Sequence, residues 1–338
     1  MTTRTTRHGA TGPAPSVGAA AAITAARSGA RPETAGGTGL RLGVDIGGTK
    51  TAVAVFDEGD AVLARATAPT PAADGASAVV AGVLELAGQA FRESASVRGR
   101  LTGVGVGTAG VVAPDGRTIA SATDALPGWA GTPLAALLED ALGVPAVLLG
   151  DVQAFLAGEL AAGAARGARG AVAVMAGTGI GGAVAVDGAV VRGGNGAAGH
   201  LGHVPVAAAE GLRCPCGALG HVEAVASGPA MAALAGAPDL RSVAAEASAG
   251  SASARGVLRR GGAALGAALA GVVNTLDPDV VVVSGGVLHA GPWYEEALRA
   301  SLTASVLPLL RTVPVVPAGL GAEAVLLGAA SLAHRGAG

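Results

Sequence analysis

The sequence predicts an α/β protein in two parts, from three observations. Strand-like runs alternate with helix-like runs, which implies sheets layered with helices. The chain has 338 residues, enough for about two domains. One supersecondary unit occurs twice: Gly47-Gly48 followed by Ala52-Val53-Ala54-Val55, and Gly181-Gly182 followed by Ala183-Val184-Ala185-Val186. So long an interval is a duplication, not a short-period solenoid.

The first unit reads as an antiparallel meander: a strand over Leu42 to Asp45, a turn at Ile46-Gly47-Gly48, a strand over Thr51 to Phe56, a turn at 57–60, and a strand from Ala61 to Ala66. A helix is expected over Ala78 to Glu93, a strand over Val104 to Gly107, a helix over Pro133 to Leu142, a strand over Ala146 to Leu149 and a helix over Val152 to Leu160. The second unit repeats the pattern with a strand over Ala171 to Met175, a turn at 177–182, and strands over Ala183 to Val186 and Ala189 to Val191. Helical spacing over Val257 to Leu276 is broken by Asp277-Pro278-Asp279. The β-branched run Val280 to Val283 reads as a buried strand, followed by a helix over Tyr294 to Leu302, a strand over Val313 to Val316 and a closing helix over Glu323 to Ala333.

Composition narrows the function classes. Hydrophobic residues make up 51% of the chain but aromatics only 2%, so small side chains must pack closely approaching elements. A net charge of −2 argues against non-specific nucleic-acid binding and a polybasic membrane patch. No run of about 20 purely apolar residues lacks Gly, Pro or charge. The two cysteines, Cys214 and Cys216, are poorly spaced for stapling a fold, and point to a reduced, intracellular protein. Residues 1–39 contain Arg4, Arg7 and Pro13, lack the apolar run of a secretory signal, and read as a disordered tail outside the fold.

Five segments carry chemistry. In Asp45-Ile46-Gly47-Gly48-Thr49-Lys50, two glycines let backbone N–H groups approach a phosphate, Thr49 adds a hydroxyl, Lys50 a positive charge, and Asp45 can orient Mg²⁺ through water. Gly177-Thr178-Gly179-Ile180-Gly181-Gly182 lies between two strands, so it is not a dinucleotide fingerprint. Either turn alone also fits an ordinary hairpin; two in matching contexts read as clamps on one polyphosphate. Asp151, after a strand and before a helix, fits a helix N-cap or a base that takes a hydroxyl proton, and spacing alone favours the cap. His203, Cys214, Cys216 and His221 make a Cys₂His₂ tetrahedral set whose short loops suit a closed, structural zinc site. Ser284-Gly285-Gly286 would let a flat ring such as adenine pack on backbone, although the segment taken alone favours an ordinary strand-to-helix turn.

These segments resemble the ROK family of repressors and sugar kinases, within the actin/hexokinase/heat-shock-70 ATPase superfamily, from about Leu42 to Ala333. The most specific part is Gly199-His200-Leu201-Gly202-His203 with the run from Cys214-Pro215-Cys216-Gly217 to Gly220-His221-Val222-Glu223. The resemblance implies a two-lobed actin-like (ribonuclease H-like) fold, with one lobe of residues 40–150 plus 322–338 and another of 151–321, facing across a cleft. It implies an ATP-dependent, Mg²⁺-assisted transfer to the 6-hydroxyl of a hexose, in a cytoplasmic protein that is often a homodimer. Asp151 then corresponds to the catalytic base, both glycine turns to phosphate loops, and Gly285 and Gly286 to the adenosine side. His203 corresponds to a zinc ligand near the sugar, and Glu223 to an acceptor for a sugar hydroxyl.

The departures from the family pattern are specific. His221 stands at the usual third cysteine, Gly150 at the usual Asn before Asp151, and Ala125 at the Asn before Leu-Pro-Gly-Trp, where Thr123 or Asp124 would take over. His200 replaces a sugar-binding Glu; with Gln153, this is similar to bacterial N-acetylmannosamine kinases. Glucose and N-acetylglucosamine are the competing substrates. A repressor of the family would need a winged helix-turn-helix, and a leading segment with Gly9, Pro13, Pro15 and Pro32 shows no amphipathic helix pair. A catalytically dead sugar-binding module conflicts with an intact Asp151 and both loops.

Overall fold

Two five-stranded sheets of the same order form the framework. The computed structural model describes residues 38–93, 99–123 and 126–333. β1 (Thr38–Ile46), β2 (Lys50–Phe56) and β3 (Val62–Pro69) make the expected meander. α1 (Ala76–Glu93) leads to β4 (Gly99–Thr108), which lies parallel to β1. A small hairpin, β5 (Val111–Val112) and β6 (Ile119–Ser121), precedes α2 (Leu134–Leu142) and β7 (Ala146–Gly150), which closes the sheet beside β4.

After α3 (Asp151–Ala162), the second sheet opens with β8 (Ala171–Ala176), β9 (Ile180–Val186) and β10 (Ala189–Val190). Four helices follow: α4 (Glu223–Ala226), α5 (Gly228–Ala235), α6 (Leu240–Ser248) and α7 (Ala252–Leu276). β11 (Val280–Ser284), α8 (Pro292–Ser305), β12 (Val315–Pro317) and α9 (Glu323–Ala333) complete the chain. The orders β3-β2-β1-β4-β7 and β10-β9-β8-β11-β12 match position for position, so the duplication seen in the sequence is a duplication of whole sheets.

The scarcity of aromatics has a packing consequence. α9 lies on β1 and β4 so closely that a Cβ at Gly43 or Gly105 would overlap the carbonyl oxygens of Leu326 or Ala329. α3 and α9 meet backbone to backbone through Gly158 and Gly328. Close approach recovers the dispersion contacts that small side chains forgo. α7 is long and apolar enough to cross a membrane by length and composition, but over half of that window is buried within the protein, as in a core helix.

The structure corrects several expectations. β1 begins at Thr38, inside the segment set aside as a tail; residues 1–37 lie outside the described residues, as do Asp124 and Ala125. Asp151 is not the helix N-cap: Gly150 caps α3, and Asp151 is its first helical residue. The β5–β6 hairpin and α4, α5 and α6 were not expected. They are short, although α6 does place Leu240, Val243, Ala244 and Ala247 at helical spacing.

Candidate active site

The first glycine turn joins β1 to β2, with Gly47 N–H bonded to Lys50 O at 3.0 Å. Thr49 and Lys50 are exposed at its tip. The residue just past β3 braces the turn: Thr70 Oγ1 donates to Gly47 O at 2.7 Å and lies 2.8 Å from Thr51 Oγ1. Neither threonine was singled out from the sequence, where β-branched residues at strand ends are unremarkable.

The second turn joins β8 to β9, with Gly177 N–H bonded to Gly179 O at 2.9 Å and Thr178 exposed. Gly177 O accepts Gly228 N–H at 2.9 Å, tying the turn to the start of α5. Glu223 Oε2 accepts Ile180 N–H at 2.7 Å.

Asp151 stands where the two halves meet. A Cβ at Gly107 of β4 would lie 3.8 Å from Asp151 Cα, and one at Gly181 of β9 would touch Val152. Its Oδ1 accepts Val152 N–H at 2.8 Å. Burial raises the Asp151 carboxyl above the ordinary range, against the Val152 N–H and the nearby His200. Burial pushes Asp45 up to about 6, the Asp151 charge adds to this, and Lys50 opposes it. The two carboxylates are close enough to act on each other electrostatically, and carboxylate oxygens are the hard donors that Mg²⁺ takes.

His200, exposed, has its Nδ1 3.0 Å from Ala197 O, and its ring stacks on His203 with centroids 6.1 Å apart. Potential donor atoms of His203, Cys214, Cys216 and His221 all lie within 4.8 Å of one another. Cys214 Sγ is 3.6 Å from His203 Nδ1, and Cys216 Sγ is 3.2 Å from His221 Nδ1. A sulfur and a nitrogen on tetrahedral zinc sit about 3.6 Å apart, so the set fits that ion. Glu223 Oε1 lies 3.9 Å from Cys214 Sγ, which joins this loop to the second turn. His200, His203 and Glu223 are thereby brought together, with His200 near Asp151, while Asp124 lies outside the described residues.

Beyond the second turn opens a cleft of about 820 Å³, lined among others by Gly177, Thr178, Gly228, Leu240, Arg241, Gly286 and His289. Gly285 has φ 108°, and a Cβ there would overlap Ala176 O, so only glycine lets this loop close on β8. The wall from α5 and α6 was missed in the sequence. Its available signals were the caps: Ser227 and Asp239 accept the N–H groups of Ala230 and Ser242.

The sequence matches the ROK family over residues 41–336. It is 34% identical to an N-acetylmannosamine kinase of Salmonella heidelberg over 298 residues, 87% of this chain and 98% of that one. The structure resembles a ROK hexokinase from Thermus thermophilus, with a TM-score of 0.79 and 34% identity, covering 88% of this chain and 98% of that one. It also resembles a ROK family glucokinase from Streptomyces griseus in complex with glucose and AMPPNP, with a TM-score of 0.73 and 29% identity, covering 88% and 100%. Fold and site together define a sugar kinase on the two-lobed actin-like ATPase fold. The chain belongs to the ROK family.

Proposed function

We propose that this chain transfers the γ-phosphoryl group of ATP to the 6-hydroxyl of N-acetyl-D-mannosamine. The choice of sugar rests on His200. A carbonyl only accepts, so the 3.0 Å contact with Ala197 O puts the ring proton on Nδ1 and leaves the neutral ring's Nε2 as an acceptor. An acceptor on a planar body suits the N–H and bulk of an N-acetyl group at C2. Identity of 34% with the Salmonella N-acetylmannosamine kinase supports the same reading.

Asp151 accepts the proton of the 6-hydroxyl as that oxygen attacks the γ-phosphorus. The raised proton affinity of its carboxyl suits a base. Backbone N–H groups of the turns at Gly47-Gly48 and Gly177-Gly179, with Lys50, hold the phosphates. Asp45 would hold Mg²⁺ through water, and the ion would supply positive charge to the phosphate oxygens. Adenosine occupies the cleft beside Gly285 and Gly286, and His200, His203 and Glu223 hold the sugar. Zinc on His203, Cys214, Cys216 and His221 would leave no open coordination position and acts structurally. Closure of the lobes excludes water from the transfer. We place the enzyme in the cytoplasm, where ATP and reduced thiols are available.

Coupled ADP release across N-acetylmannosamine, N-acetylglucosamine and glucose tests the assignment. The largest kcat/KM is expected with N-acetylmannosamine. A larger value with glucose overturns the choice of sugar, and no turnover with any of the three overturns the hexose assignment.

A further inference from the structure

We infer that Gln153 is a positioning residue that sets the orientation and tautomer of His200, an inference that rests on His200 being a sugar contact. Gln153 is 4% exposed and lies in the first turn of α3, two residues after Asp151. Its Oε1 accepts Gly150 N–H at 3.3 Å, at the step from β7 to α3 that presents Asp151. Its Nε2 donates to Gly196 O at 3.3 Å and to Ala198 O at 3.4 Å. The carbonyl between those two belongs to Ala197 and faces His200 Nδ1 at 3.0 Å.

Three successive carbonyls are therefore committed, the outer two to Gln153 and the middle one to His200. A primary amide has two N–H hydrogens, the number this loop needs, while a carboxylate has none. Moving the loop off Gln153 would strand a buried amide, so the loop is held; within it Ala198 N–H donates to Arg192 O at 3.0 Å, which keeps Ala197 O toward His200 and the ring proton on Nδ1. The same loop reaches the first lobe, where a Cβ at Gly196 would overlap Val112 O of β5. Gln153 thus ties the strand end before Asp151, the ring of His200 and the opposite lobe into one unit.

Gln153→Glu keeps the acceptor for Gly150 N–H and loses both donors. Measured by coupled ADP release with N-acetylmannosamine and with glucose, it is expected to raise the KM of the preferred sugar about tenfold, the effect of one lost hydrogen bond, with the KM for ATP unchanged. That rise is expected to vanish when Gln153→Glu is combined with His200→Ala. Nitrogen-15 NMR of the wild-type imidazoles is expected to show His200 protonated on Nδ1. Should glutamate prevent folding, Gln153→Met makes the same comparison. An unchanged sugar KM in the Gln153 variant, an equal rise on the His200→Ala background, or an Nε2-protonated His200 overturns the inference. An unchanged sugar KM in His200→Ala alone overturns His200 as a sugar contact instead, and the NMR measurement still decides the role of Gln153.

Discussion

Glu223 Oε2 holds the backbone N–H of Ile180 at 2.7 Å, so the first residue of α4 grips the first residue of β9. A Cβ on Gly179 would sit 2.8 Å from the same oxygen. The second glycine turn and the start of α4 are therefore one mechanical piece. Glu223→Ala is expected to raise the KM for sugar roughly ten- to a hundredfold, the loss of a charge-assisted hydrogen bond, and to raise the KM for ATP as well. Steady-state kinetics with both substrates varied check this. An unaltered KM for ATP would show that the carboxylate touches sugar without bracing the turn.

Asp151→Asn keeps the shape of the site and removes the proton acceptor. Turnover is expected to fall about 10²- to 10⁴-fold, the usual range for a lost general base, with the KM for ATP nearly unchanged. Wild-type turnover in this variant would take Asp151 out of the role.

Asp45 sets a pH dependence of two signs. Its folded value of about 6 exceeds the ordinary 3.8, so its contribution to stability is full below the ordinary value and is lost as pH rises through about 6. Asp45→Asn is expected to raise the Tm of the metal-free protein more at about pH 8 than at about pH 5, as read by thermal melts. With Asp45 in the proposed role of holding Mg²⁺, activity runs the other way. Mg²⁺-dependent turnover should fall as pH drops through about 6.

Elemental analysis should find about one zinc per chain, bound by His203, Cys214, Cys216 and His221. Cys214→Ser or a strong chelator is expected to release it, lower the Tm and raise the KM for sugar, since His203 stacks on His200. Metal-free protein with an undiminished Tm and sugar affinity would dismiss the site.

Gly105→Ala tests the packing of α9 on the first sheet. The added methyl would overlap Ala329 O, which is backbone and cannot swing aside. A loss of about 1–3 kcal/mol or more in unfolding free energy is expected from denaturant melts.

Much of this was legible in the chain itself. The helix Glu323–Ala333 is read from the sequence with its observed bounds, and the repeated meander is read as a duplication, each copy lying in a sheet of the same order. His203, Cys214, Cys216 and His221 stood out because ligand residues are so rare elsewhere. Local pattern determined these features: periodicity reports burial along one element, and short loops keep ligand spacing within a few residues.

Tertiary structure alone decided the rest. Thr70 bracing Gly47, Glu223 gripping Ile180 and Gln153 holding Gly196 and Ala198 are contacts between residues far apart in the chain. The sequence leaves such pairs open because a buried donor specifies that it must find an acceptor but not which one. Asp151 lost the cap to Gly150 because the strand-to-helix step, seen only in three dimensions, placed it inside the first turn of α3.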